Sequence, residues 1–197
     1  MNLIFSFLSR HKFYVVFTAI VFAGISFALI ISAGFYPIAF VNGKFVTARR
    51  FVLEYAAADS YYRRILETYG NKVLGGEEVK PADLEASAME KIIEDILVKD
   101  GARREVGSDL DNLVQNKLSQ LSSDQLLQEG ASDLYGLNKN DFWDFILIPQ
   151  AQRDILAGRL FLKGKKIGDW LAGAKKSAKV IILSNEFRWS GDKIEVK

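Results

Sequence analysis

The sequence predicts a mainly α chain: a single N-terminal transmembrane helix, then a multi-helix domain with a small antiparallel sheet formed by N- and C-terminal strands. Three observations carry this. An uncharged run extends from Phe13 to Phe40. Through the middle of the chain, apolar residues recur at steps of three and four, the helical period. Just after the run and again near the C-terminus the period changes to two, the strand period. The expected boundaries are a flank over residues 1–12, a transmembrane helix over 13–36 and one domain over 38–197.

The first element is the apolar run, interrupted only by Thr18, Ser26 and Ser32. Crossing the hydrocarbon core takes roughly 20 apolar residues. A lone segment in lipid must bond its own backbone, so it must be helical. Tyr14 and Tyr36 stand near its ends, where amphipathic rings favour the interface. The alternative of a cleaved signal, cut near Ser32-Ala33-Gly34, meets an apolar core longer than signals carry. Arg10 and Lys12 precede the run and Lys44, Arg49 and Arg50 follow it, so charge bias alone does not orient it. The bulk of the chain follows the run. The expectation is a single pass through the cytoplasmic membrane with the C-terminal domain extracytoplasmic, contacting the bilayer through residues 13–36.

Residues 38–41 read as a strand, Asn42-Gly43 as a type I′ turn and residues 44–47 as the returning strand. Thr47 is placed to cap a helix over 48–69, with Phe51, Tyr55, Ala58, Tyr62, Ile65, Leu66 and Tyr69 on its apolar side. Gly70 should end it, and Gly75-Gly76 should form a loop. Pro81 suits the first turn of a second helix with Leu84, Ala88, Ile92, Ile93, Ile96 and Leu97 on one side. Its charged residues Glu85, Glu90, Lys91, Glu94, Asp95 and Lys99 read as a solvated face. Gly107 should end that helix. Ser108 and Asp111 should open a third, with Leu110, Leu113, Val114, Leu118 and Leu121 inward.

A short fourth helix should run from Ser123-Asp124 to about Glu129, with a turn at residues 134–137. Asn138 or Asn140 should cap a fifth helix, which Pro149 should bend or break. A sixth helix is expected over 166–177 and a strand over 178–183. A hairpin around Ser190-Gly191-Asp192 should close the chain, with early and late strands paired in one sheet.

Composition narrows the chemistry. The chain has 197 residues, enough for one domain with additions. A net charge of +2 gives no footprint for nucleic acid. Cysteine is absent and the one histidine, His11, precedes the apolar run. Thiolate zinc sites, a cysteine nucleophile and histidine triads are thereby excluded from the domain, and no metal or other cofactor is expected.

The order of parts resembles a known family. Val41-Asn42-Gly43 leads into a long helix. A second helix carries Leu84, Met89, Ile92, Ile93 and Leu97, and a turn runs from Val106 to Asp109. Trp170, Leu171, Ala178 and Val180 close the pattern. Over most of residues 38–183 the chain resembles the SurA/PrsA-type N-terminal chaperone domain of extracytoplasmic foldases. Members often carry a parvulin-type prolyl isomerase domain before the last helix-strand unit. Here residues 162–166 join those parts directly, leaving no room for a domain, which seldom falls below about 50 residues.

The resemblance implies a membrane-anchored, ATP-independent, non-catalytic module that binds unfolded or exported polypeptides. Phe142, Trp143 and Phe145 are consecutive or nearly so, and neighbours on a helix point about 100° apart. They are candidates for an exposed client-binding surface, with Tyr61, which leaves the heptad of Tyr55, Tyr62 and Tyr69. The competing reading buries two of the three and lets one cover a neighbouring helix. The basic stretch of Lys163, Lys165, Lys166, Lys175 and Lys176 reads as a solvated face. Other functions that fit are an assembly factor for one membrane partner and, from the family's usual activity, a peptidyl-prolyl isomerase.

Overall fold

The computed structural model describes residues 12–70, 79–119 and 125–197, without the side chains of Lys12 and residues 125–129. The loop expected at Gly75-Gly76, the helix start at Ser123-Asp124 and Leu121 lie outside the described residues. The first helix, α1, spans Lys12–Ser32 and is exposed from residue 13 to residue 32. Phe13–Ser32 is long and apolar enough to cross a membrane. At 1.5 Å per residue it measures about 30 Å, the thickness of a hydrocarbon core. It is shorter than the expected 13–36, because Gly34 takes φ +73° and turns the chain into the first strand.

Strands β1 (Pro37–Val41) and β2 (Lys44–Thr47) form the hairpin predicted from Asn42-Gly43. Both turn residues have positive φ, 51° and 83°, as a type I′ turn requires. Thr47 caps α2 (Ala48–Tyr69), its hydroxyl accepting from the Arg50 N–H. The buried side of α2 is narrower than its apolar stripe: Glu54 and Ala57 are buried, Tyr55 and Tyr62 are half-buried and Tyr69 is exposed. Pro81 opens α3 (Pro81–Val106), which packs against α2 and several later elements.

A 3-10 turn (Gly107–Asp109) leads into α4 (Leu110–Leu118). Helix α5 spans Gln125–Tyr135 and so takes in Leu134 and Tyr135, expected in a turn; Gly136, at φ +63°, follows it. Asn138 caps α6 (Lys139–Phe142), accepting from the Asp141 N–H at 3.0 Å. The break expected from Pro149 takes the form of a wide π turn over Trp143–Leu147, and α7 (Ile148–Leu162) follows. Helix α8 (Ile167–Ser177) and strands β3 (Val180–Ile182), β4 (Phe187–Trp189) and β5 (Ile194–Val196) complete the chain.

The strands do not form the single sheet that the sequence suggested. β3 joins β1, giving an antiparallel order β2-β1-β3, while β4 and β5 pair only with each other. The separate hairpin is kept in place by burial: Phe187 and Ile194 enter the same core as Ala39, Val41, Val46 and the α3 residues Met89, Ile92, Ile93, Ile96 and Leu97. Three-element support of this kind lets a two-stranded hairpin persist in water.

A second core lies under the C-terminal half of α3, where Val98 and Ala102 meet Leu110, Val114, Ala151, Leu156, Leu160 and Leu171. A third, smaller one gathers Ala57, Ala131, Leu137 and Phe142. Because α2, α7, α8 and β5 all pack on α3, its charged side is only partly solvated, with Lys99 exposed and Glu85, Glu90 and Lys91 half-buried. Asp95 is buried and Glu94 is half-buried.

Candidate functional site

The four aromatic candidates do not share one open surface. Phe142 is buried in the third core, and Trp143 packs half-buried against the second. Phe145 is also half-buried, and Tyr61 alone is exposed. Tyr135 brings Tyr61 and Phe142 together, with ring centroids 5.4 Å from its own on either side. Burial and the neighbouring Tyr61 push the Tyr135 hydroxyl above its ordinary pKa. These aromatics therefore fasten α2, α5 and α6 to one another. The competing reading made from the sequence describes Phe142 and Trp143 better than the open-surface one.

The turn they occupy has a clear cause. Pro149 has no N–H to offer the carbonyl four residues earlier, Phe145. The Ile148 N–H reaches back five residues to Trp143 instead. The Phe145 carbonyl accepts from Lys91 Nζ at 3.1 Å. The same ammonium lies 3.0 Å from Glu54 and 3.0 Å from Asp95. One lysine thus ties α2, α3 and the π turn, a junction that periodicity could not reveal.

The open site lies elsewhere, between the β1–β2 turn, the C-terminal half of α3 and α8. It is a cleft of about 760 Å³. Leu97, Trp170 and Ala174 supply apolar lining; Asn42, Arg104, Lys165, Lys166 and Asp169 supply polar groups. Each wall has an identifiable support. The Asn42 side chain accepts from the Lys179 N–H at 2.9 Å, and its own N–H donates to the Lys179 carbonyl at 2.9 Å. Trp170 lies across α3 at Gly101, where an added Cβ would collide with the indole ring and with Leu156. Only glycine lets the ring approach the helix this closely.

Phe161 and Leu162 stand at the end of α7, just before the cleft-lining Gly164, and are 79% and 78% exposed. Outside α1 they are the most exposed large apolar side chains among the described residues. Exposed apolar side chains of this size mark candidate interaction surfaces. Among the described residues, Arg104, Lys165 and Lys166 have no carboxylate within ion-pair distance, so the rim is cationic. Lys175 departs from the basic stretch: it is 12% exposed and pairs with Glu90 at 2.5 Å and Glu94 at 2.8 Å. Burial opposes its charge, but hydrogen bonds to the two carboxylates outweigh it and raise its pKa.

The cleft suits binding of an extended chain: Trp170 and Ala174 for apolar side chains, and cations for carboxylates or carbonyls. Among the described residues, no group of three or more His, Cys, Asp or Glu is placed to hold a metal ion. No family model, curated protein or solved structure matches the chain.

Proposed function

We propose that the chain is a membrane-anchored, ATP-independent, chaperone-like protein that holds extended apolar stretches of exported polypeptides. Helix α1 is the single-pass anchor, and the domain lies outside the cytoplasm. The observation that carries the reading is the cation-rimmed cleft with Trp170 and Ala174 in its wall, together with the exposed Phe161-Leu162 pair, which precedes the cleft-lining Gly164 in sequence. Apolar burial supplies the attraction, and it is non-directional, which suits clients of varied sequence. Tethering to the bilayer raises the local concentration of module and client. The resemblance of residues 38–183 to the SurA/PrsA-type chaperone domain supports the same reading.

The test uses the full chain in lipid nanodiscs and a chemically unfolded client whose aggregation is followed by light scattering. The chain should slow aggregation at equal or modest excess ratio. A Phe161→Ser/Leu162→Ser variant should lose this while keeping its helicity, since both side chains are exposed and surface changes stay within about 0.5 kcal/mol. Equal suppression by the variant would remove the assigned surface. Failure of the parent chain would move the weight to a dedicated membrane partner, to be sought by crosslinking in native membranes. Acceleration of a proline-limited refolding step would instead point to an isomerase.

A further inference from the structure

An antiparallel sheet with one face on a core ordinarily turns polar residues to water on the other. The β2-β1-β3 sheet does not. Ala39, Val41 and Val46 face the core. On the opposite face, Phe40 pairs with Phe45 across one strand and with Ile181 across the other, so the three form one cross-strand row. Phe45 is 65% exposed and Ile181 60%. Leu183, also exposed, follows two residues after Ile181 and donates its N–H to the Ile38 carbonyl.

The place of this face is set by α1. The connection from Ser32 to Pro37 is stapled to the start of α2. The Arg49 N–H donates to the Gly34 carbonyl at 2.8 Å, and the Ala48 N–H to the Tyr36 carbonyl at 3.0 Å. The Arg49 guanidinium lies 5.4 Å from the centre of the Phe35 ring. A Cβ on Gly34 would press on the Arg49 backbone, so the approach is as close as the chain allows. The sheet therefore holds a fixed relation to the end of the span.

Charge points the same way. Neither residues 33–53 nor residues 170–185 contain an Asp or Glu. Exposed Arg49, Lys176 and Lys179 in these stretches have no carboxylate partner among the described residues. An apolar row bordered by cations and free of carboxylates is complementary to the headgroup layer of an anionic bilayer.

We propose that the outer face of the β2-β1-β3 sheet is seated on the membrane surface, with Phe40, Phe45 and Ile181 in the headgroup layer. This rests on the reading of α1 as a span. Phe40 is three residues beyond Pro37, about 10 Å along the strand. The headgroup layer is about 5–7 Å deep on each side. The seat therefore requires β1 to run close to the bilayer plane.

The chain has no cysteine, so single labels can be placed without background. The full chain, as Phe22→Cys, Phe45→Cys, Ile181→Cys and Asp144→Cys, is spin-labelled in nanodiscs of zwitterionic and anionic lipid. Collisions with oxygen and with a water-soluble nickel chelate are then measured. Phe22 reports the span and Asp144, exposed on the π turn, reports water. The expected result is a severalfold loss of nickel collisions at residues 45 and 181 relative to residue 144, with oxygen collisions retained. Nickel collisions at 45 and 181 equal to those at 144, with residue 22 in lipid, would overturn the seat and leave the anchor. Labels shielded from both reagents would overturn it too, because another protein would then cover the face. A residue 22 label open to nickel would remove the anchor and the seat together.

Discussion

Two carboxylate clusters grow from adjacent faces of α3, and burial acts on them with different results. On one face Glu54 and Asp95 share the ammonium of Lys91. Arg50 comes no nearer to Asp95 than 3.4 Å, and its buried Nε has no partner among the described residues. Burial pushes both carboxyls above their ordinary range, and the nearby cations do not offset it. On the other face Glu94 has two cations, Lys175 at 2.8 Å and Arg153 at 2.7 Å. Burial again favours the neutral form, but hydrogen bonds and charge from Lys175 and Arg153 exceed it and the pKa falls. Asp95 and Glu54 are the more deeply buried and Glu94 has the closer donors, so the balance of burial against donated hydrogen bonds sets the direction.

The comparison breaks hardest at Lys91. Lys91→Ala leaves Glu54, Asp95 and the Phe145 carbonyl without their shared donor, and should cost about 3 kcal/mol at neutral pH. The loss should shrink as pH falls toward 4.5, because the two carboxyls then take up protons. Thermal unfolding of the full chain in mild detergent, followed by circular dichroism, reads both effects. A loss that stays equal from pH 7 down to the ordinary carboxyl range would show that Lys91 acts by packing alone. Lys175→Met should cost less, about 1–2 kcal/mol, since Arg153 remains on Glu94 and Glu90 is not buried.

The pH dependence sharpens the contrast. Glu54 and Asp95 have raised folded values, so their contribution is complete below the ordinary 4.5 and 3.8 and is lost as pH rises through the folded values. Glu94 is the reverse: its contribution is complete above 4.5 and is lost as pH falls through the depressed folded value. Glu94→Gln should therefore gain stability relative to the parent chain as pH is lowered from 4.5. Glu54→Gln/Asp95→Asn should lose the part of the profile that declines with rising pH. Both are measured as melting temperature against pH. The smallest effect is expected at Arg188→Ala in the β4–β5 hairpin. Its exposed pair with Glu195 should contribute no more than about 0.5 kcal/mol.

Local chemistry was legible where one residue type meets one backbone need. Asn42-Gly43 made the hairpin, Thr47 and Asn138 the caps, Pro81 a helix start and Gly107 a helix end. The pairing of β3 with β1 was legible only as an economy of strands; that β4 and β5 stay apart depends on Phe187 and Ile194 finding the α3 core. The charged side of α3 was misread because periodicity reports one buried face, whereas α3 is packed on several sides. The aromatics at 142–145 signalled a surface and proved to be fastenings, since composition cannot say which side of a helix has neighbours. The cleft left one trace in the sequence, the exposed-type pair Phe161-Leu162 before a run of lysines, and that pair was passed over.

The staple between Gly34 and Arg49 has a kinematic consequence. A domain on a loose tether sweeps a hemisphere over the bilayer, and its binding surface visits every height and heading. With α1 in a bilayer, the two backbone hydrogen bonds that hold the Ser32–Pro37 connection to α2 narrow that sweep. The cleft then keeps to a narrower band of altitude. Lengthening the connection by a few glycines would blur that altitude without touching the cleft.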